Sequence, residues 1–126
     1  MNRLAQSCLG KTHKMEKLLE VSLLLLLAKE SAHGYALMEH LSQLGFESWE
    51  INVGSLYRTL RKMEEEQFVV SHWEHGGGGP RRRVYRITEN GEQELMCWIA
   101  ILKNRKVRIE RVIALYGDLM DTEKQE

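Results

Sequence analysis

Proline and cysteine are almost missing from this chain of 126 residues, which has one proline, Pro80, and two cysteines, Cys8 and Cys97. The cysteines stand far apart, and no CxxC or Cys/His spacing surrounds them, so nothing encodes a zinc site. Two free thiols in a reducing cytoplasm are expected, rather than a disulfide. Net charge is missing too: 18 basic residues balance 18 acidic ones. A uniformly basic surface is thereby excluded, but local basic patches are not. The apolar run Val21–Ala28 is far shorter than the roughly 18 residues needed to cross a bilayer. Charged residues precede it and no cleavage site follows, so it is not read as a secretory signal. The five histidines include no HExxH pair, and His33 and His40 lie two helical turns apart, too far to share a metal comfortably. No Ser/His/Asp arrangement can be argued. The reading is a soluble, cytoplasmic protein with no membrane partner, no cofactor, no metal and no catalytic residues.

At this length the chain forms one domain with a helical appendage. Its charge is unevenly spread. Residues 16–50 carry two basic and six acidic groups, whereas residues 103–111 carry five basic groups against Glu110. Arg81, Arg82, Arg83 and Arg86 face only Glu74 in residues 74–86. Met15–Lys29 is leucine-rich and unbroken, and its five consecutive leucines predict a helix buried on nearly all sides. Ser31 is the expected N-cap of a second helix, His33–Leu44, with Leu37, Met38, Leu41 and Leu44 on one face and Gly45 as its stop. Trp49–Ile51 has the composition of a minimal strand. Asn52 caps a third helix, Val53–Gln67, whose apolar stripe is Leu56, Leu60 and Met63. Phe68–Glu74 and Arg82–Ile87 are β-prone runs. Thr88 caps a further helix, with Glu89 near its positive end. Whether the basic stretch Lys103–Arg108 breaks that helix or forms its solvated middle is left open by the residues alone.

The stretch HGGGGPRRRVYR, His75–Arg86, separates the two β-prone runs. A phosphate-cradling loop needs a lysine–hydroxyl pair and a following helix. Neither is present, and a Rossmann fingerprint fails for the same reason. Too little chain follows to form a second core, so a domain linker is excluded as well. A hairpin tip remains, supple through its glycines and attractive to phosphate through its arginines. Three helices followed by a hairpin is the order of a winged helix-turn-helix. In most helices Arg58, Arg61 and Lys62 would be an ordinary solvated face. Here their place on the third helix, just before an arginine-rich hairpin, favours DNA. Arg58 is placed to pair with guanine or with a phosphate. Tyr57 covers a sugar-phosphate or belongs to the core. The acidic run Glu64–Glu66 is read as a solvated end that keeps phosphates away from that part of the helix. Beyond Thr88, apolar positions exceed what one small domain can cover, which points to a second subunit.

His33-Gly34-Tyr35-Ala36-Leu37, Gly54-Ser55-Leu56-Tyr57-Arg58-Thr59-Leu60-Arg61-Lys62-Met63-Glu64 and Gly78-Gly79-Pro80-Arg81-Arg82-Arg83-Val84-Tyr85-Arg86-Ile87-Thr88-Glu89-Asn90-Gly91 together resemble the PadR family of transcriptional regulators, over roughly residues 20–95. The resemblance implies a homodimer that binds a two-fold symmetric operator in double-stranded DNA, in many members as a repressor released by a small hydrophobic or aromatic effector. By the same resemblance Tyr35, Ser55, Tyr57, Arg58 and Arg61 fall in segments facing DNA, and Arg81, Arg82 and Arg83 in the wing; Lys62 joins the expected DNA residues through its place on the basic face of the third helix. Leu95, Trp98, Ile99, Leu102, Ile109, Ile113 and Tyr116 fall on the helix that forms the dimer and borders an effector. Three positions depart from the family pattern. Val53 stands where proline often opens the third helix, Gln67 where glycine usually ends it, and Trp98 sits about one turn nearer the wing than is usual. The expected architecture is mainly α with a small β-hairpin (α+β). An N-terminal extension spans residues 1–14, the winged helix-turn-helix residues 15–88 and a C-terminal helical dimerisation region residues 89–126. The alternative is a winged-helix protein-interaction or ligand-sensing module that does not bind DNA.

Overall fold

The computed structural model describes residues 17–75 and 78–125. The expected extension, residues 1–14, lies outside them. In chain order the elements are α1 (Lys17–Lys29), β1 (Ala32–His33), α2 (Gly34–Gln43), α3 (Val53–Glu65), β2 (Val69–His75), β3 (Arg81–Ile87) and α4 (Glu89–Gln125). This is the α+β winged helix expected from the sequence. The chain divides into two compact units, with the division inside α4 after Met96.

In the first unit, α1, α2, α3 and the sheet enclose one core. Leu23, Leu24 and Leu27 of α1 meet Leu37 and Leu41 of α2, Leu56, Leu60 and Met63 of α3, and Val69 and Tyr85 of the hairpin. Burial pushes the Tyr85 phenol above its ordinary value. The leucine run is not buried all round, because Leu25 faces solvent. Consecutive helical residues turn by about 100°, so five in a row must send at least one outward unless neighbours cover every side. Ser22, also buried, satisfies its hydroxyl by donating to the Leu18 carbonyl at 2.7 Å.

Two local expectations are corrected. The cap of α2 is His33, whose Nδ1 accepts from the Ala36 amide at 3.4 Å, rather than Ser31. Trp49–Ile51 is not a strand: Ser48–Glu50 form a turn closed by the Glu50 amide on the Glu47 carbonyl. The third strand is instead Ala32–His33, paired antiparallel with β3 as Ala32↔Tyr85 and His33↔Val84. The sheet order is β1-β3-β2. Two residues carry too little pattern to be seen in a sequence, whereas β3 shows its side-chain alternation.

The helix ends show how the chain is steered. Asn52 forms a full capping box with Ser55: its Oδ1 accepts from the Ser55 amide at 2.8 Å, and Ser55 Oγ accepts from the Asn52 amide at 3.2 Å. The ends of α2 and α3 share one hydrogen-bond pattern. Gly45 and Phe46 donate to Ser42 and Leu41, while Gln67 and Phe68 donate to Glu64 and Met63. Both are Schellman ends, which require a left-handed residue. Gly45 adopts φ 98° at no steric cost, but Gln67 is forced to φ 68°. The turn before Phe68 is therefore as tight as a glycine would make it, at the expense of a strained glutamine.

Thr88 caps α4, accepting from the Gly91 amide at 3.0 Å and donating to the Gln67 carbonyl at 2.7 Å. A Cβ on Gly91 would collide with the Phe68 carbonyl oxygen and stand 2.7 Å from Ile87 Cγ1. The helix runs unbroken through Lys103–Arg108, so the basic stretch is its solvated middle. In the second unit Cys97, Trp98 and Ile101 are buried. Cys97 is disulfide-bonded, which corrects the expectation of free thiols; the only other cysteine, Cys8, lies outside the described residues. No helix among the described residues is long and apolar enough to cross a membrane.

Two substitutions test this account in urea unfolding. Gln67→Gly should stabilise by about 0.5–1 kcal/mol, because glycine tolerates the left-handed backbone. Gly91→Ala should destabilise by about 2 kcal/mol or more, because the clash is with backbone that cannot swing away.

Candidate nucleic-acid interface

The exposed side of α3 follows from its buried stripe. With Leu56, Leu60 and Met63 fully inside, Gly54, Arg58, Arg61 and Glu65 line the centre of the outer face. Arg58 and Arg61 have no ion-pair partner among the described residues. Two expected DNA residues on α3 have local partners. The Ser55 hydroxyl is engaged in the capping box and also donates to the Asn52 carbonyl at 2.9 Å. Lys62 Nζ lies 3.2 Å from Glu20 of α1, which in turn pairs with Lys17 at 3.1 Å. Hydrogen bonding and charge from Glu20 hold the Lys62 ammonium above its ordinary value.

The hairpin approaches α3 through one polar latch. Ser71 Oγ donates to Glu64 Oε1 at 2.6 Å and receives Arg83 Nε at 2.7 Å. Arg83 Nη2 reaches Glu64 Oε2 at 3.4 Å, and its guanidinium lies 5.4 Å from the centre of the Trp73 ring. The strand register explains the grouping. Ser71 pairs with Tyr85 and Trp73 with Arg83, so all four side chains leave one face of the hairpin, where α3 lies. Glu64 is thus not a mere solvated charge. It ties the wing to α3, and the sequence showed no sign of it because the partners are seven and nineteen residues away.

Arg81 and Arg82 are held less firmly. Arg81 Nε donates to His75 Nε2 at 3.3 Å, and Arg82 Nη1 lies 3.3 Å from His33 Nε2. His33 already accepts at Nδ1 to cap α2. A neutral imidazole has a single acceptor nitrogen, so the cap and the Arg82 contact compete. Val84 is buried but lies outside the core cluster, which Tyr85 joins and Ile87 packs against. Strand alternation sends it to the opposite face.

Between α3 and the wing opens a cleft of about 550 Å³. Tyr57, Arg61 and Glu64 form its helical wall, Trp73 and Pro80–Arg83 the wing wall, and His33, Tyr35 and Tyr85 complete it. Tyr57 does two things: it is half-buried against the core and also lines the cleft. A Cβ on Gly34 would overlap the Tyr57 ring, so the glycine of His33-Gly34-Tyr35 is what lets Tyr57 lie flat there. Tyr35 projects into solvent at the cleft mouth. Five of the expected DNA residues besides Tyr35 and Tyr57 divide in this way: Arg58 and Arg61 have no ion-pair partner among the described residues, Arg81 and Arg82 are loosely held, and Arg83 is latched. Among the described residues no cluster of histidine, cysteine or acidic groups could hold a metal.

Glu64→Ala should free the wing without unfolding the chain. Its partners are partly exposed, so the expected loss of stability is below about 1 kcal/mol. Amide hydrogen exchange in Trp73–His75 and Arg81–Arg83 should accelerate, and unchanged exchange there would remove the latch from the account.

The comparisons with known proteins agree with this geometry. The family model described as "Transcriptional regulator PadR-like family" matches residues 23–96. The chain is 32% identical over 79 residues to the "Probable transcriptional regulator Rv1176c" of Mycobacterium tuberculosis, covering 63% of this chain and 42% of that protein. It is 25% identical over 83 residues to the negative transcriptional regulator PadR of Bacillus subtilis, covering 66% of this chain and 46% of that one. The chain therefore spans less than half the length of these two curated relatives. The crystal structure of Bacillus subtilis PadR in complex with operator DNA superposes with TM-score 0.57 at 28% identity, covering 64% of this chain and 46% of that chain. A PadR family transcriptional regulator from Eggerthella lenta superposes with TM-score 0.62 at 28% identity, covering 77% and 86% of the two chains. With the family match extending from α1 into α4 and the winged-helix architecture in place, the chain belongs to the PadR-like family of transcriptional regulators.

Proposed function

We propose that this chain is a sequence-specific repressor that binds double-stranded operator DNA as a homodimer in the cytoplasm and is released by a small hydrophobic or aromatic effector. The carrying observation is the pair of exposed guanidiniums, Arg58 and Arg61, without an ion-pair partner among the described residues, on the open face of α3, flanked by a wing that adds Arg81 and Arg82. In this reading Arg58 enters the major groove and reads a base, Arg61 and Tyr57 border the backbone, and Tyr35 and the wing arginines hold phosphates. Ser55 and Lys62 shape the helix that carries them. The relative solved with operator DNA supports the reading, as does the capping box that fixes the start of α3.

Dimerisation is assigned to the region from residue 89 onward. Ile109, Val112, Ile113, Tyr116 and Leu119 fall at i, i+3, i+4, i+7 and i+10 along one face of α4 and are all exposed. Such a stripe is costly in water, by about 25 cal/mol per Å² of apolar surface, and a symmetric partner would cover it. Leu95, Trp98, Ile99 and Leu102, nearer the wing and at least half-buried in the chain, are the positions assigned to an effector and the adjoining part of the dimer.

Three measurements test the proposal. Titration of duplex from the region upstream of its own gene over a salt series should give strongly salt-dependent binding. Replacing Arg81, Arg82 and Arg83 together with alanine should weaken binding to all sequences and flatten that dependence. Arg58→Ala should relax base preference more than Arg82→Ala, with about 1–3 kcal/mol lost at the contacted position; equal losses on every sequence would remove base reading from Arg58. In sedimentation, Ile113→Asp should convert a dimer to monomer, and a monomeric parent protein would contradict the dimer.

A further inference from the structure

The cleft between α3 and the wing holds more positive charge than its own residues answer. Arg61, Arg81, Arg82 and Arg83 line it together with a single carboxylate, Glu64. Glu64 and Arg83 balance each other at 3.4 Å. Arg61, Arg81 and Arg82 have no acidic partner among the described residues. The same cleft presents aromatic rings to solvent: Tyr35 is 70% exposed, and Trp73, whose ring already carries the Arg83 guanidinium, is 56% exposed. Guanidiniums offer planar forks that suit phosphate, and exposed phenol and indole rings offer faces for a flat group to stack on. The volume lies in the range of about 300–1,000 Å³ typical of small-molecule sites.

We propose that this cleft binds a free nucleoside phosphate, its base against Tyr35 and Trp73 and its phosphate on Arg61 and Arg82. The charge balance selects this class. A phosphate monoester carries about −1.5 to −2 at neutral pH, which answers the surplus guanidiniums better than a monocarboxylate does. An uncharged aromatic would leave them unanswered. Because Arg61 and the wing arginines are also those assigned to the duplex, a bound nucleotide and DNA exclude each other by sharing residues, with no conformational change required. That exclusion rests on the DNA-binding reading; the nucleotide site itself does not.

The test is calorimetric titration of the full chain at low salt with adenosine and guanosine 5′-monophosphate. Adenosine, inorganic phosphate and benzoate serve as partial ligands, and competition against a fluorescent duplex completes the set. Saturable binding of one nucleotide per chain is expected, at least about ten-fold tighter than any partial ligand. Arg61→Ala, Arg82→Ala and Tyr35→Ala should each weaken it about ten-fold while keeping the thermal transition of the parent. Arg58→Ala, outside the cleft, should leave it unchanged. Nucleotide binding no tighter than phosphate, equal binding of benzoate, or indifference to Arg61 and Arg82 would overturn the proposal. Duplex binding without nucleotide binding would overturn it and leave the DNA reading intact. Nucleotide binding without duplex binding would support the site and remove the DNA reading.

Discussion

The short turn Gln67-Phe68 is the joint on which the rest of the interface depends. It ends α3 through bonds from Gln67 and Phe68 to Glu64 and Met63. It also starts the wing, and it receives the far end of the wing through the Thr88 amide on the Phe68 carbonyl and the Thr88 hydroxyl on the Gln67 carbonyl. The same carbonyl of Phe68 sits where a side chain on Gly91 would be. The backbone amides and carbonyls of these two residues thus fix the end of α3, the root of both wing strands and the first turn of α4. Backbone bonds of this kind have no rotamers to lose, so the wing root is set by chain geometry rather than by side-chain choice. The left-handed Gln67 shows that the constraint outweighs the local preference of the residue that bears it.

From this joint the wing runs outward, and its grip on α3 passes from apolar to polar. Val69, Tyr85 and Ile87 pack into or against the core. Next come Ser71 and Arg83, hydrogen-bonded to Glu64, and then Arg81 and Arg82 with only weak histidine contacts. Charge becomes available to a ligand in the same order. Four arginines that look alike in sequence therefore do different work: Arg83 sets the wing's distance from α3, whereas Arg61, Arg81 and Arg82 face an open cleft. A neutral chain can hold a strongly positive site when its acids are elsewhere or already paired.

Much of this was legible from the sequence, for definite reasons. The stripe Leu56, Leu60, Met63 and the Asn52 cap identified α3 because helix periodicity and capping are local signals. The hairpin was legible because glycines and Pro80 separate two alternating runs. Gly34 and Gly91, part of the motif that carried the resemblance, proved to be sites where a side chain would strike Tyr57 or Phe68. The misses were non-local. Neither the two-residue strand β1 nor the cap by His33 has a pattern of its own, and the Glu64 latch joins residues on separate elements. The exposure of Leu25 was not legible, because five leucines in a row do not reveal which sector of a helix is uncovered. The disulfide at Cys97 likewise leaves no spacing signal, since its sequence surroundings resemble those of any buried thiol.

We propose that α3 and the wing form one DNA-facing surface on which the arginines are divided between holding and reading. Nitrogen NMR of the arginine side chains during titration with upstream duplex tests it most directly. The account predicts shifted and slowed Nε–H signals for Arg58, Arg61 and Arg82, with Arg83 already protected in the free protein and little changed. Shifts confined to arginines of α4, such as Arg105 and Arg108, or an Arg83 that behaves like Arg82, would contradict it.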